Sequence, residues 1–373
     1  MSSESGNHVY ALIMAGGSGR MLWPVSRKKR PKQFVELFDH ESMIARTVKR
    51  ITAAVSKENI FIITSQRGRT LLADALPDFR PDNIIAEPSS RSTAPCIALA
   101  TAHIRKRDPD AVTVVLPADH LVLDEPAFIR IIEAAVEIAR SKEGLVTIGV
   151  SADRPETSYG YIQVDEELPL PPAKSGGDGC RFFNVKAFAE KPDYATALQF
   201  VESHDFYWNS GVFIWHIDAI SREFERSMPD LYKDHLAIYE SLGTKDEEKV
   251  IEDVYSWIHP TSIDYGIMEK ASSVHMLTGE FGWTDLGCWD EVLKIAESRN
   301  ARNGEHHDSR LVQLDCENLF VRKPEGKVVC AIGVSNLIIV ETDDALLICN
   351  RGSSHRVGEV ADILRREGLE EYL

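Results

Sequence analysis

Short apolar runs alternate with amphipathic stretches through the first half of the chain. Val9 to Ala15 (VYALIMA) is a continuous apolar run closed by glycines, the pattern of a strand buried on both faces of a parallel sheet. Met43 to Val55 has helical spacing and leads into a second run, NIFIIT, at Asn59 to Thr64. Between positions 97 and 150 the chain reads as helix (IALATAHIR), strand (VTVVLPADH), amphipathic helix (FIRIIEAAVEIAR) and strand (LVTIGV). This alternation predicts an α/β domain with a mainly parallel sheet over the first ~150 residues. Ligands of such sheets gather beyond the carboxyl ends of the strands.

The second half has a different texture. Glu167 to Gly179 (ELPLPPAKSGGDG) carries three prolines and three glycines and predicts an exposed loop or hairpin excursion. Arg222 to Trp257 is helical and charge-rich, and beyond Asn300 short β-rich runs follow one another across Gly, Asn or Asp turns before a terminal helix near Val357 to Glu367. No long internal repeat stands out, and the β-rich tail fits a few coils of a solenoid. The division expected is 1–298 for the first domain and 299–373 for the second.

With 373 residues, 43% of them hydrophobic and 27% charged, the chain has the apolar matter for roughly two packed domains of ~150 residues each. Its 42 Lys and Arg against 58 Asp and Glu leave a formal charge of −16, which argues against nucleic acid or an anionic membrane as a general partner. Any bound anion has to meet a local positive patch. No run approaches the ~18 apolar residues of a membrane span, and the polar start MSSESGNHVY lacks the features of a signal peptide. A cytoplasmic location is expected. The six cysteines form no CxxC pair, so neither a disulfide framework nor a thiolate zinc site is predicted.

The first apolar run continues as Ala15-Gly16-Gly17-Ser18-Gly19-Arg20-Met21-Leu22. Glycines let a backbone approach an anion and turn its N–H groups inward. No Gly-Lys-Ser/Thr follows, and Leu22 stands where a dinucleotide fingerprint needs its last glycine, so both of those motifs are excluded. Next comes Ser26-Arg27-Lys28-Lys29-Arg30-Pro31-Lys32-Gln33, five cations in six positions on an acidic chain, beside the glycine cradle. That pairing suits a polyphosphate, although a cation run is also an ordinary solvated surface. Lys32, set apart by Pro31, is the member singled out. Asp119 in LPADH ends an apolar strand, where a carboxylate can hold Mg²⁺ or simply cap a turn.

The stretch GGSGRMLWPVSRKKRPKQF resembles the signature of the sugar-1-phosphate nucleotidylyltransferases, and its WPxSRxxxPKQ part is similar to the mannose-1-phosphate guanylyltransferase branch. The likeness continues in order through EPSSRSTAPCIAL, VLPADH, RPETSYGYI, FAEKPD, WNSGVFIW, SIDYGIMEK and GWTDLGCWD. It implies a Rossmann-like, mainly parallel α/β catalytic domain followed by a small β-solenoid-like domain of left-handed β-helix type. The implied reaction is GTP plus mannose 1-phosphate giving GDP-mannose and pyrophosphate, by Mg²⁺-assisted in-line attack of the sugar phosphate on the α-phosphate. The attacking phosphate has a second pKa near ~6 and is largely dianionic at neutral pH, so no general base is required. The work left to the protein is to align two polyanions and offset their repulsion.

The resemblance implies Lys32, Asp119, Asp285 and Arg20 as catalytic residues, with Asp119 and Asp285 sharing one Mg²⁺ or another divalent cation. His120 is a poor ligand for so hard an ion. It implies Leu12, Ala15, Gly16, Gly17, Ser18, Gly19, Glu87, Arg91 and Thr93 around the nucleotide, and Gly160, Glu190, Lys191, Asn209 and Gly211 around the sugar phosphate. Tyr159, Tyr161, Trp208 and Trp283 either line the sugar pocket or pack in the core. The family loop usually reads Gly-Thr-Arg where this chain has Gly19-Arg20-Met21, so Met21 replaces an arginine expected at the triphosphate. Either Arg20 takes its place or phosphate binding is weakened, and the alternatives are another hexose-1-phosphate nucleotidylyltransferase or a non-catalytic sugar-nucleotide binder. A homodimer, or a tail packed on the catalytic domain, is the association expected. Isomerase activity of the kind found in longer bifunctional relatives is not expected.

Overall fold

The computed structural model describes residues 8–17, 19–141, 144–169, 179–303 and 310–373. Ser18 and most of the Pro/Gly-rich loop expected at 167–179 lie outside the described residues. The strands of the first half are β1 (Val9–Ala15), β2 (Ile60–Ser65), β3 (Ile84–Glu87), β4 (Val112–Pro117), β5 (Leu121–Val122) and β6 (Leu145–Ser151). They are followed by β7 (Gly160–Leu168), β8 (Phe182–Glu190), β9 (Phe206–His216), β10 (Val274–Thr278) and β11 (Trp283–Thr284). The helices are α1 (Met43–Ile51), α2 (Gln66–Ala75), α3 (Thr93–Arg107), α4 (Glu125–Ala139), α5 (Tyr194–Ser203), α6 (Ile217–Ser227), α7 (Pro229–Ser241) and α8 (Glu247–Trp257), and a five-residue π-turn spans Asp264–Met268. After α9 (Trp289–Asn303) come β12 (Leu311–Leu314), β13 (Phe320–Arg322), β14 (Val329–Ile332), β15 (Leu337–Glu341), β16 (Leu346–Asn350) and α10 (Val357–Arg366).

The chain divides into two compact units. The first comprises residues up to Gly16, Thr47–Ala118 and Val122–Trp283. It holds a nine-stranded sheet in the order β3-β2-β1-β4-β9-β6-β10-β8-β7. The four strands β3, β2, β1 and β4 run parallel, as their unbroken apolar character predicts, and β6 and β10 form a second parallel pair. Between β4 and β6, β9 runs antiparallel to both, and β7 and β8 continue the antiparallel part, so the far half of the sheet is mixed. An apolar run dictates burial but not strand direction, which is why the reversal at β9 is invisible in the hydropathy pattern. Ser65 and Asp124 cap α2 and α4 by accepting from Gly68 N–H and Ala127 N–H, which meets part of the orphan-donor requirement at each helix start.

The second unit comprises Gly17–Arg46, Asp119–Leu121 and Thr284–Leu373. Two early segments are therefore packed with the C-terminal strands, a division that a single boundary at 298/299 does not express. The reason is side-chain bonding. Arg322 donates to the carbonyls of Leu37 and Glu36 at 2.7 and 2.6 Å, and Arg27 grips Asp344 through its two terminal guanidinium nitrogens at 2.7 and 2.6 Å. Trp289 Nε1 donates to the Trp23 carbonyl at 2.9 Å, within a core that also contains Leu22, Ile338, Val340, Leu347 and Val357.

The strands of this unit wind as a solenoid. Leu311 lies opposite Val329, Glu317 opposite Ser335 and Phe320 opposite Ile338, all in parallel pairing and each partner 18 positions on. The turn residues keep the same offset: Asp315 and Gly333 have φ of 51° and 64°, Asn318 and Asn336 of 54° and 57°. Stacked on one another, Asn318 Nδ2 donates to Asn336 Oδ1 at 3.1 Å. An internal repeat is thus present in a stretch where the pattern of hydrophobic residues alone displays none. Among the described residues no helix is long and apolar enough to cross a membrane, and all six cysteines are free.

Candidate active site

In the second unit three of the four residues expected to be catalytic, Lys32, Asp119 and Asp285, come together at Lys32. Pro31 holds an extended conformation, and Lys32 opens the short 3-10 turn that follows it. Its side chain is only 7% exposed, with Nζ 3.0 Å from Asp119 Oδ2. The ammonium also donates to the main-chain carbonyl of Asp285. Three residues from three segments thus meet at one ammonium group, and of its three N–H donors these contacts use two.

Gly19 explains how the glycine loop comes so close. A Cβ there would run into the Lys32 Cβ and stand 2.7 Å from Ser26 Oγ, and φ is +54°. Only glycine satisfies both the space and the backbone.

The two carboxylates of this cluster differ. Burial pushes Asp119 up, but the Lys32 ammonium and His120 outweigh it, so the group stays ionised below the usual carboxylate range. Asp285 is pushed up to about 6 by burial, opposed by Lys32 and reinforced by Glu291. Gly287 N–H is shared by Asp285 Oδ1 at 2.8 Å and Glu291 Oε2 at 2.6 Å. Between them Leu286 holds φ +50°, a conformation that costs a branched residue energy and that tends to persist at functional sites. Glu291 is 8% exposed. The sequence offers no signal for its part here, since it looks like a first-turn helix acid of α9.

Arg20 and Met21 are not brought to Lys32. Arg20 pairs with Asp362 on α10 at 3.6 Å, both side chains more than half exposed. Met21 lies against the same helix, its Cγ 3.5 Å from where a Cβ on Gly358 would stand.

In the first unit a second polar cluster forms where β7, β8 and β9 meet. Gly160, at the start of β7, faces Glu190, at the end of β8. A Cβ on Gly160 would stand 2.5 Å from Glu190 Oε2 and 3.4 Å from Asn209 Cβ, so the bare Cα is what lets these side chains converge. Lys191 Nζ is 3.4 Å from Glu190 Oε1, and Lys191 itself holds φ +49°. Asn209 Oδ1 accepts from Gly211 N–H at 3.0 Å, which brings Gly211 into the group.

Asp264, which sequence reasoning missed, completes this cluster: its Oδ1 accepts from Asn209 Nδ2 at 2.8 Å. Burial and the nearby Glu190 carboxylate raise its pKa to about 6. It lies in the block SIDYGIMEK that carries the resemblance, but its burial and its place at the start of a π-turn show only in the structure. Of the aromatic residues left open by the sequence, Tyr159, Tyr161 and Trp208 belong to the core, and half-buried Trp283 packs against them. Tyr159 packs edge-on against Trp208 and Trp283 at 5.3 and 5.2 Å, and Tyr159, Tyr161 and Trp208 are at most 4% exposed.

The expected nucleotide residues of the first unit separate into two groups. Ala15 and Gly16 lie at the carboxyl end of β1. Leu12 does not join them, since it sits mid-strand with no exposure, flanked by Phe61 and Val115. Glu87, Arg91 and Thr93 fasten the loop between β3 and α3. Glu87 Oε1 accepts from Tyr255 Oη at 3.1 Å, Arg91 Nε donates to the Tyr255 carbonyl at 3.1 Å, and Thr93 Oγ1 accepts from Ile263 N–H at 2.8 Å. Ser92, between them, holds φ +68°.

Residues 10–301 match the family model described as Nucleotidyl transferase, and residues 309–364 match a MannoseP isomerase/GMP-like beta-helix domain. The chain belongs to the nucleotidyl transferase family. It is 33% identical over 370 residues to the xanthan biosynthesis protein XanB of Xanthomonas campestris pv. campestris (strain B100), covering 97% of this chain and 74% of that protein. It is also 33% identical over 372 residues to the mannose-1-phosphate guanylyltransferase of Escherichia coli (strain K12), with 98% of this chain and 75% of the relative covered. Among solved structures, the Thermus thermophilus protein named mannose-1-phosphate geranyltransferase superposes with a TM-score of 0.80 at 30% identity, over 96% of this chain and 99% of that one. The α/β nucleotidyltransferase fold with a C-terminal β-helix-like domain follows from these matches together with the 18-residue coils.

The donor chemistry of this nucleotidyl transferase suits a hard divalent cation. Asp119 and Asp285 offer carboxylate oxygens, the donor type a hard divalent cation prefers. Among the described residues no group of three or more His, Cys, Asp or Glu side chains is placed to hold a metal ion.

Proposed function

We propose that the protein transfers GMP from GTP to mannose 1-phosphate, giving GDP-mannose and pyrophosphate. The observation that carries the reaction type is the buried Lys32 ammonium held between Asp119 and Asp285 and reached by Gly19. A buried cation held by one carboxylate and one main-chain carbonyl beside a glycine loop suits phosphoryl transfer, in which positioning and charge neutralisation do most of the work. The choice of guanine and mannose rests on the relatives that bear the name mannose-1-phosphate guanylyltransferase.

In this reading a phosphate oxygen of mannose 1-phosphate attacks the α-phosphorus of GTP, the bond to the bridging α–β oxygen breaks, and pyrophosphate leaves with that electron pair. Gly160, Glu190, Asn209 and Gly211 hold the hexose, and Lys191 meets its phosphate. Backbone groups of Ala15 to Gly19, with Ser18, take the nucleotide, together with the loop fastened by Glu87, Arg91 and Thr93. Lys32 stabilises the charge on the phosphates and fixes Asp119. Arg20, weakly tied to Asp362, supplies a mobile cation to the triphosphate. A divalent cation bound by Asp119 and Asp285, Mg²⁺ in this reading, would supply neutralisation of the phosphate oxygens.

The test is pyrophosphate release from GTP, mannose 1-phosphate and Mg²⁺, run beside ATP, UTP and dTTP and beside glucose 1-phosphate. Turnover of about 1 s⁻¹ or more with the guanine and mannose pair supports the proposal. Binding of GDP-mannose without turnover would overturn it in favour of a sugar-nucleotide sensor, and a preference for another base or hexose would reassign the substrate.

A further inference from the structure

Asn209 is held at both ends of its amide. Its Oδ1 accepts from Gly211 N–H at 3.0 Å and its Nδ2 donates to Asp264 Oδ1 at 2.8 Å. Turning the amide over would set an N–H against the Gly211 N–H and a carbonyl against the Asp264 carboxylate, losing both bonds and adding two repulsions. The orientation of this amide is therefore fixed by its partners. A carboxamide nitrogen carries two N–H groups, of which Asp264 takes one and the other is left for a ligand. Asp264 is itself anchored: it opens the π-turn Asp264–Met268, directly after buried Ile263, whose N–H is tied to Thr93 Oγ1 at 2.8 Å.

On the other side of Gly160 stands Glu190. With no Cβ between them, the Glu190 carboxylate and the Asn209 amide converge over the Gly160 Cα. One presents acceptors and the other a donor. A sugar hydroxyl lying between them accepts from Asn209 N–H and donates to Glu190, which satisfies all three groups. A hydroxyl of the opposite configuration leaves the donor and the carboxylate unpaired, and sites built on paired polar groups discriminate strongly against ligands that leave them so. That discrimination depends on the amide presenting its N–H, and an unrestrained amide would offer N–H or carbonyl to either configuration.

We propose that Asp264 is a positioning residue of the hexose subsite: by fixing the Asn209 amide it makes the Asn209–Glu190 pair select the configuration of the sugar hydroxyl between them. This rests on the reading of Gly160, Glu190 and Asn209 as the hexose subsite. Asp264 acts through Asn209 and so governs which sugar phosphate is accepted, leaving the nucleotide half of the reaction untouched.

The experiment is steady-state kinetics with mannose 1-phosphate and glucose 1-phosphate at saturating GTP, on Asp264→Ala, Asp264→Asn, Asn209→Ala and Glu190→Gln. Asp264→Ala is expected to raise KM for mannose 1-phosphate about tenfold and to cut the ratio of kcat/KM between the two sugars by about tenfold, with KM for GTP changed less than about twofold. Asp264→Asn, whose carbonyl still accepts from Asn209, restores the ratio to within about threefold of the parent. Should Asp264→Ala fail to fold, Asp264→Ser, whose hydroxyl is too short to bridge to Asn209, is measured in its place with the same expectation. Equal losses on both sugars without rescue by Asp264→Asn would overturn the proposal and leave Asp264 a structural residue. If Asn209→Ala and Glu190→Gln also leave the sugar KM unchanged, the hexose subsite itself lies elsewhere. If those two raise it while Asp264→Ala does not, only the positioning role fails.

Discussion

Lys32 Nζ stands 3.0 Å from Asp119 Oδ2, and the same ammonium is closed over by the carbonyl of Asp285. Since the lysine side chain is 7% exposed, removing Asp119's charge leaves a buried cation short of its counter-ion. Breaking a buried pair from one side costs about 3 to 5 kcal/mol in favourable cases, and the 28% exposure of Asp119 places this pair toward the lower end. Asp119→Asn is expected to lower the melting temperature and to reduce kcat by about a hundredfold or more, as loss of a preorganised charge does elsewhere. Differential scanning calorimetry and pyrophosphate release on the same preparation check both. A variant with full turnover would show that the cation centre lies elsewhere.

Gly19 and Lys32 are coupled through space that a methyl group cannot share. Gly19→Ala forces a side chain into the Lys32 Cβ at a φ of +54°. The expected cost is about 1 to 3 kcal/mol of stability, with a fall in kcat because Lys32 is the group displaced. Gly17→Ala is the control, since a Cβ there meets nothing within 4 Å although φ is +91°. Chemical denaturation of the two variants should separate them: equal losses would mean backbone strain alone, with no role for the contact to Lys32.

Glu87 gives the protein a pH dependence of stability that can be isolated. Burial lifts its pKa from 4.5 to about 7, partly opposed by hydrogen bonds with Tyr255 and Cys96. The folded state therefore holds a proton that the unfolded chain releases between pH 4.5 and about 7, and the stability gained from it is full below 4.5 and lost as pH rises through 7. Glu87→Gln keeps an acceptor for the Tyr255 hydroxyl and abolishes the titration. Relative to the variant, the parent should lose stability from about pH 4.5 to about pH 7 and then level off, by at most about 3 to 4 kcal/mol in all. Urea unfolding at several pH values across that interval measures the difference, and parallel curves for the two proteins would rule out Glu87 as the source.

Part of the first cluster was legible in local context and part only through the resemblance. Pro31 isolates Lys32 and an apolar strand ends at Asp119, whereas Asp285, two residues before Gly287, reads by itself as a turn former and is named only because its block matches the family. Glu291 and Asp264 were not legible, because each acts through a partner that its own surroundings do not announce: Glu291 through the Gly287 N–H it shares with Asp285, and Asp264 through Asn209, 55 positions away. Leu12 is assigned by its position in a motif, and hydropathy does not show that the sheet register sets it mid-strand, three residues before the carboxyl end of β1. The α/β alternation predicted the parallel half of the sheet, whereas β9's reversed direction depends on connections that hydropathy does not encode. The solenoid repeat was present as Asn318-Leu319-Phe320 and Asn336-Leu337-Ile338, but strands of three to five residues are too short for a hydrophobic period to display it.

Met21 and Arg20 yield the last prediction, and here the structure revises what the motif alone implies. An arginine at position 21 is expected from the motif to tighten nucleotide binding. Met21, however, packs against α10 beside Gly358, so a guanidinium introduced there starts from the helix side, and Met21→Arg is expected to leave KM for GTP within about threefold of the parent. Arg20 is the exposed cation of the loop, tied to Asp362, which also accepts from Arg365 at 2.9 Å. Exposed pairs of this kind are worth about 0.2 to 1 kcal/mol, so the tie competes only weakly with a triphosphate. Arg20→Ala is accordingly expected to raise KM for GTP about tenfold, in line with the loss of a charge-assisted contact. Asp362→Ala, which releases Arg20, should lower KM for GTP by no more than about fivefold. Initial-rate measurements over a range of GTP concentrations distinguish the cases: a marked gain from Met21→Arg with no effect of Arg20→Ala would mean that the loop turns its other face to the nucleotide.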